Sequence, residues 1–407
     1  MEEIYNALKD NNFEFTTDTR TMASGKAFFA IAGDNFDGND FVLKAIENGA
    51  PFAVSNRKDL SDTNENVFYS ENTTKLFRDL AEHHRNIFDI PVIAITGSNG
   101  KTTTKELIRS VLSKKYNVLA TEGNFNNHLG TPFTLLKITK ETEVVILEIG
   151  ANHLGEIGYL CNMSHPTHGI ITNIGEAHLE GFGGVEGVKK AKGELYDYLK
   201  NSGCTVYFDN ADKTLVSMLE DRELLGSPYI DVLDVDLKLF GSYNMQNARA
   251  AYTVGVDFGV EKGLIVEALE MYEEKSDRSR VYTTKNGNKI VADMYNANPT
   301  SINLALEQFL SEESEQDKIV ILGDMLELGE YSHEAHKKII KQLENSVIEN
   351  VYLVGKEFLS VGGPFKNYST TLDLIKTLKD SGFREKYIFI KGSRGLRLEN
   401  ILKQEVL

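Results

Sequence analysis

Eight consecutive residues, Thr96-Gly-Ser-Asn-Gly-Lys-Thr-Thr103, have the types and spacing to hold a phosphate. They follow the apolar run Val92-Ile-Ala-Ile95, which reads as a buried strand. They lead into Lys101 to Lys115, where Leu107, Val111 and Leu112 share one helical face. Between a strand and a helix, the small residues Gly97, Ser98, Asn99 and Gly100 let backbone N–H groups turn inward around a phosphate at the helix N-terminus. Lys101 would then reach the β and γ oxygens of a nucleotide and Thr102 would offer its hydroxyl to Mg²⁺, with Thr103 closing the stretch. The bland alternative is a tight strand-to-helix turn with an incidental lysine. The spacing departs from the general P-loop, whose first glycine would fall at Ile95, so this loop is shorter.

Three further residues have side chains suited to a metal or to proton chemistry. Glu148 ends the run Val144-Val-Ile-Leu-Glu-Ile149, at the edge where parallel sheets bind ligands, and a carboxylate there can hold Mg²⁺. A chance acidic residue at a strand end would read the same. His178 follows the next apolar run in Ile171-Thr-Asn-Ile-Gly-Glu-Ala-His178. A neutral imidazole at that edge could complete a metal site, although most single histidines are ordinary surface or core residues. Asn173 lies in the same stretch. Lys192, in Ala191-Lys-Gly-Glu-Leu195, reads by default as a solvated helix lysine.

The elements that must position these residues are those of an α/β protein. Strands are expected at Val144 to Ile149, Gly169 to Ile174 and Thr205 to Phe208, spaced for crossover helices. The alternation restarts with Lys289 to Met294, Lys318 to Leu322, Val351 to Val354 and Tyr387 to Ile390. Helical stretches at Ser301 to Leu310, His333 to Leu343 and Leu372 to Lys379 separate them, as in a Rossmann-like domain. Residues 1–88 read as a small α/β unit that closes on a helix from Thr73 to Phe88. The chain is therefore expected to hold three domains, 1–88, 89–278 and 279–407, consistent with 407 residues.

Composition excludes several classes. With 41% hydrophobic and 26% charged residues the chain is an ordinary globular one, neither fibrous nor disordered. Its 44 basic against 60 acidic residues give −16, which opposes nucleic acid and stable membrane association as partners. Cys161 and Cys204 are too few for a disulfide framework. The acidic start MEEIYNALKD is unlike a signal peptide, and no apolar run approaches the roughly 18 residues of a span. A cytoplasmic monomer is the expectation.

The loop Thr96-Gly-Ser-Asn-Gly-Lys-Thr102 and the stretch Glu148-Ile-Gly-Ala-Asn-His-Leu-Gly-Glu-Ile157 resemble the Mur ligase superfamily, and further segments continue the likeness in order. The resemblance implies a central mostly parallel ATPase sheet, a smaller N-terminal α/β domain and a C-terminal Rossmann-like domain, with ATP and Mg²⁺. It implies metal roles for Glu148 and His178, and for a carbamylated Lys192, whose cation would become an anion. Gly241-Ser-Tyr-Asn-Met-Gln-Asn-Ala248 is similar to the adenine-binding stretch of the family. That makes Asn244 and Asn247 base contacts, although Tyr243 stands where the family has His and a plain Asn-capped helix start would read alike.

Arg278 matches the arginine that reaches the γ-phosphate, with Arg280 as a competitor, and Asp293 matches a ribose contact. Three segments, Met294-Tyr-Asn-Ala-Asn-Pro-Thr-Ser301, Leu322-Gly-Asp-Met-Leu-Glu-Leu-Gly329 and Lys391-Gly-Ser-Arg-Gly395, resemble the branch that adds D-alanyl-D-alanine. They make Asn296, Asn298, Asp324, Glu327, Ser393 and Arg394 candidates for positioning the dipeptide. Thr17-Asp-Thr-Arg20 and Gly33-Asp-Asn-Phe-Asp-Gly38 resemble the uridine-binding pattern through Thr19, Arg20, Asp37 and Gly38. Asn124-Phe-Asn-Asn-His-Leu-Gly130 resembles the substrate loop of the family, which implies substrate contacts for Asn126 and Asn127; alone it would read as a turn.

The implied activity is an ATP-dependent amide ligase of peptidoglycan precursor synthesis, joining D-alanyl-D-alanine to UDP-N-acetylmuramoyl-tripeptide through an acyl phosphate. A relative that adds a different amine, or a nucleotide-binding regulator without ligase activity, are the rival readings.

Overall fold

Short β-branched and aromatic runs alternate with amphipathic helices along the whole chain, and the resulting architecture is α/β. The computed structural model describes residues 1–18, 20, 24–33, 36–231, 235–274, 278–404 and 406–407. Its contacts divide the chain into two units, one of residues 1–94, 116–150 and 158–167, the other of residues 95–115, 151–157 and 168–407.

The first unit contains a parallel sheet in the order Phe15–Thr16, Ala27–Phe29, Ala53–Ser55, Val67–Tyr69. The helix Thr73–Arg85 starts where Asn72 Oδ1 accepts the Lys75 N–H at 2.8 Å. Phe77 on that helix packs with Phe15, Phe29 and Phe133, ring centroids 5.0 to 5.4 Å apart. A second parallel pairing joins Val118–Ala120 to Val144–Glu148. Every residue of Val144–Glu148 is buried, as a central strand requires.

The second unit takes up the chain at Ile95, in the strand Val92–Thr96. Its strands His168–Ile171, Thr205–Phe208 and Ser227–Pro228 pair in parallel, and Thr172 N–H reaches Thr96 O at 2.9 Å. The helix Lys101–Leu112 packs on Asn244–Asp257. Gly255 allows the approach, because a Cβ there would come within 2.5 Å of Val111.

The C-terminal sheet of this unit runs Arg280–Thr283, Lys289–Asp293, Tyr387–Lys391, Lys318–Gly323, Asn350–Val354, Lys366–Tyr368. Only its first pairing is antiparallel. Its core gathers Ile290, Ile319, Ile321, Leu374, Leu378, Ile388 and Ile390.

The long strands lie within about a residue of the sequence expectation at most ends, the largest offset being the second central strand, expected at Gly169 to Ile174 and found at His168–Ile171. Edge strands such as Arg280–Thr283 and Lys366–Tyr368 were not anticipated. They are short and carry exposed, polar residues, so no apolar run marks them.

Candidate active site

The phosphate-type loop is built by its neighbours in the second unit. Gly97 and Gly100 adopt positive φ of 139° and 81°. A Cβ on Gly97 would meet Thr172 N at 2.9 Å, and one on Gly100 would meet Asn247 Oδ1 at 2.6 Å, so both positions require glycine for space as well as for conformation. Ser98 N–H donates to Asn173 O at 3.0 Å, and Asn99 N–H donates to Asn173 Oδ1 at 3.0 Å. The Ser98 hydroxyl donates to Gly175 O at 3.1 Å and accepts the Gly175 N–H at 2.9 Å. Lys101 Nζ lies on the carbonyls of Gly97 and Ser98, at 2.7 and 3.2 Å. Thr102 and Thr103 follow on the first turn of the helix. Lysine, helix N-terminus and glycine turn thus come together, the arrangement that binds phosphate oxygens.

Asn244 and Asn247 are buried, and their carboxamides hold the helix pair together. Asn244 Nδ2 donates to Phe240 O at 2.7 Å, Asn247 Nδ2 to Asn244 Oδ1 at 2.8 Å, and the Thr104 hydroxyl to Asn247 Oδ1 at 3.0 Å. Tyr243 hydrogen-bonds Ser279 at 3.1 Å. Burial, reinforced by Asp293, pushes its hydroxyl well above the ordinary range. Asp293 is paired with Lys391. The Arg278 guanidinium stacks on Tyr295, as does that of Arg394.

His178 Nδ1 is hydrogen-bonded to Glu327 Oε2, with both residues in left-handed backbone conformation, φ 54° and 62°. Non-glycine residues held there carry strain that the surrounding fold must overcome. The hydrogen bond from His178 lowers the Glu327 carboxyl against the opposing effect of burial. With Nδ1 engaged, Nε2 is the nitrogen left to face a ligand.

Lys192 is 1% exposed on the helix Val185–Ser202, with its ammonium 5.3 Å from the Phe182 ring. Burial, then the nearby charge of Lys101, brings its amine down to about 7, with Glu156 and Glu194 opposing. In the first unit Glu148 is 3% exposed and its Oε1 accepts from Asn126 Nδ2 at 2.8 Å.

Several other expected site residues have evident structural partners. Asn298 caps the helix Pro299–Ser311, with its Oδ1 accepting the Ser301 N–H at 2.8 Å, and its Nδ2 donates to Asn99 Oδ1 at 2.7 Å. Asp324 is 3% exposed and accepts the N–H groups of Glu357 and Phe358 at 2.9 and 3.0 Å. Ser393 Oγ accepts the Leu326 N–H at 3.0 Å. Asn296 is exposed and bonds Ala297.

In the first unit Arg20 pairs with Asp18 and Asp37 with Arg57, each at 2.8 Å. Gly38 passes within contact of Ile31, whose carbonyl oxygen a Cβ would meet at 2.7 Å. Asn127 Oδ1 accepts the Gly130 N–H at 2.9 Å. Thr19 lies outside the described residues.

Sequence reasoning missed Tyr295, and also Thr300, whose hydroxyl accepts the Glu176 N–H at 3.0 Å. No local pattern marks either, because their partners are far away in sequence. Among the described residues no group of three His, Cys, Asp or Glu could hold a metal. A cation bound here would take few protein ligands and complete its shell with phosphate oxygens and water. That is the habit of Mg²⁺, and the Thr102 hydroxyl on the first turn of the helix is an oxygen donor of the kind it takes.

Three family models match the chain: Mur ligase family, catalytic domain over residues 14–87, Mur ligase middle domain over residues 95–224, and Mur ligase, glutamate ligase domain over residues 277–391. The UDP-N-acetylmuramoyl-tripeptide--D-alanyl-D-alanine ligase of Bacillus subtilis is 32% identical, covering 95% of this chain and 92% of its own length. The chain belongs to the Mur ligase family.

The Escherichia coli relative of the same name is 30% identical over 95% of this chain and 92% of its own. Among solved Mur ligases, MurF from Acinetobacter baumannii superposes with a TM-score of 0.85 at 29% identity, covering 97% of this chain and 93% of that one. MurF ligase from Thermotoga maritima, solved with ADP, gives 0.83 at 26% identity and covers 97% of both chains. The loop Gly97 to Lys101 lies in the stretch matched to the Mur ligase middle domain.

Proposed function

We propose that this Mur ligase joins D-alanyl-D-alanine to UDP-N-acetylmuramoyl-tripeptide with cleavage of ATP to ADP and phosphate, in peptidoglycan precursor synthesis. The observation that carries the reading is near full-length likeness to relatives of that name, together with an intact glycine-lysine phosphate loop. Residues 1–88 are assigned to the uridine substrate, 89–278 to ATP and 279–407 to the dipeptide.

The chemistry follows from the side chains. Lys101 leaves the carbonyls of Gly97 and Ser98 for the β and γ phosphates, where its charge offsets the negative charge that builds up during transfer. Gly97, Ser98, Asn99, Gly100, Thr102 and Thr103 cradle the phosphates, and Asn173 holds the loop in place. Arg278 adds a second cation at the γ-phosphate. The tripeptide carboxylate attacks the γ-phosphorus and ADP leaves, giving an acyl phosphate. The dipeptide amine then attacks the acyl carbon and phosphate departs, forming the amide.

Thr102, Glu148, His178 and Lys192 are the residues assigned to hold Mg²⁺, which when bound screens phosphate charge. Lys192 suits carbamylation, since an amine lowered to about 7 is substantially neutral and able to attack CO₂. Asn244, Asn247 and Asp293 are assigned to the nucleoside. Thr19, Arg20, Asp37, Gly38, Asn126 and Asn127 are assigned to the uridine substrate, and Asn296, Asn298, Asp324, Glu327, Ser393 and Arg394 to the dipeptide side. Of these last, Arg394 is exposed and its guanidinium lies over the Tyr295 ring, open to a ligand.

We place the enzyme in the cytoplasm as a monomer. The charge of −16 supports keeping it off nucleic acid and anionic lipid, and no described helix is long and apolar enough to cross a membrane.

The test is release of ADP and phosphate from Mg-ATP and UDP-N-acetylmuramoyl-tripeptide, with and without D-alanyl-D-alanine, together with the product mass. Dipeptide-dependent release and the UDP-linked pentapeptide mass are expected. Folded protein that gives neither would overturn the reading.

A further inference from the structure

Two guanidinium groups share one aromatic ring. Arg278 Cζ lies 3.6 Å and Arg394 Cζ 5.1 Å from the centroid of Tyr295. Among the described residues neither guanidinium has an ion pair or a hydrogen bond.

The sheet explains the meeting. Lys289–Asp293 and Tyr387–Lys391 run parallel with Asp293 opposite Lys391, so Tyr295 and Arg394 leave from the same C-terminal edge. The antiparallel edge strand pairs Arg280 with Ala292, which brings Arg278 to that edge from the other side. Lys391 Nζ bonds both Asp293 and Asn296 O, fixing the turn that carries Tyr295.

Two cations brought together repel one another, and among the described residues no carboxylate is ion-paired with either. The negative face of the ring offsets part of it and keeps both heads oriented without consuming their N–H donors. Ten donors therefore remain available to an anion.

We propose that Tyr295 is a positioning residue that holds this arginine pair as an anion station. Arg394 reads the C-terminal carboxylate of the incoming dipeptide while Arg278 stays directed to phosphate. The proposal rests on the ligase reading above and goes beyond it by naming what orients the carboxylate reader. A planar guanidinium takes a carboxylate through two parallel hydrogen bonds, a geometry lost when the group swings freely.

The experiment compares D-alanyl-D-alanine with its C-terminal amide as amine substrates for wild type, Tyr295→Phe, Tyr295→Leu and Arg394→Gln. Wild type is expected to prefer the carboxylate. Tyr295→Phe keeps the ring face and the preference. Tyr295→Leu loosens Arg278 and so lowers kcat/KM for both amines, but for the dipeptide about tenfold more than for the amide, leaving KM for the UDP substrate unchanged. Arg394→Gln loses the preference as well, and if Tyr295→Leu does not fold, retention in Tyr295→Phe against loss in Arg394→Gln carries the test.

An unchanged preference in Tyr295→Leu, equal losses for dipeptide and amide, or Tyr295→Phe as impaired as Tyr295→Leu would each overturn the proposal. Wild type that makes no dipeptide-dependent product instead overturns the ligase reading, and the assigned carboxylate falls with it.

Discussion

Asn298 Nδ2 donates to Asn99 Oδ1 at 2.7 Å, while Asn298 Oδ1 accepts the Ser301 N–H at 2.8 Å. One carboxamide therefore caps the helix Pro299–Ser311 and holds the middle of the phosphate loop. The two tasks use different atoms, so they can be separated by substitution. Asn298→Asp keeps a capping oxygen and places a negative charge beside Asn99, where phosphate is to bind. Its urea midpoint is expected to stay near wild type while KM for ATP rises roughly tenfold. Asn298→Ala loses the cap and is expected to cost about 1 kcal/mol in unfolding free energy. Equal nucleotide affinity in wild type and Asn298→Asp would show that the contact does not bear on the loop.

Lys101→Ala removes the cation at the loop, where the amine donates to the carbonyls of Gly97 and Ser98. Turnover is expected to fall at least about 100-fold with an unchanged circular dichroism spectrum. A rate near wild type would remove the loop from catalysis.

Glu148 is 3% exposed and bonded by Asn126 through Oε1, so Glu148→Gln keeps the shape and the acceptor while removing the charge. The Mg²⁺ concentration for half-maximal activity is expected to rise about tenfold, with thermal stability retained. An unchanged Mg²⁺ curve would take Glu148 out of the metal assignment.

What could be read from sequence was what depends on neighbours in sequence. The strand Val92–Thr96, the glycine turn and the helix Lys101–Leu112 are contiguous, and their order alone announces a phosphate loop. The left-handed φ at Gly97 and Gly100 and the crowding by Thr172 and Asn247 explain the glycines, but those partners come from distant segments. The same applies to Glu327, which is local to a turn and yet engaged by His178, 149 residues away. Asp324 and Asn298 were singled out as polar residues in telling motifs. Only the fold shows that one caps Lys356–Val361 and the other the helix Pro299–Ser311. Tyr295 carried no signal, because an aromatic residue at a strand end is ordinary until two arginines meet on it.

Lys192 shows the largest gap between sequence and structure, since a lysine that reads as solvated is 1% exposed, and its amine is brought down from 10.5 to about 7 by burial and by Lys101. Between about pH 7 and 10.5 the unfolded chain binds one more proton at this residue than the folded chain, so its contribution makes stability rise with pH across that window. Below pH 7 both states are protonated and the full cost of burying the ammonium is present. In CO₂-free buffer, the unfolding free energy of wild type relative to Lys192→Met is therefore expected to improve by a few kcal/mol between pH 7 and 10. Because only the neutral amine attacks CO₂, a ¹³C carbamate signal from labelled bicarbonate should grow as pH rises through about 7 and be absent in Lys192→Arg. A difference curve flat from pH 7 to 10 would mean that the buried amine keeps its ordinary affinity for protons. It would also mean that carbamylation at neutral pH has no prepared nucleophile here.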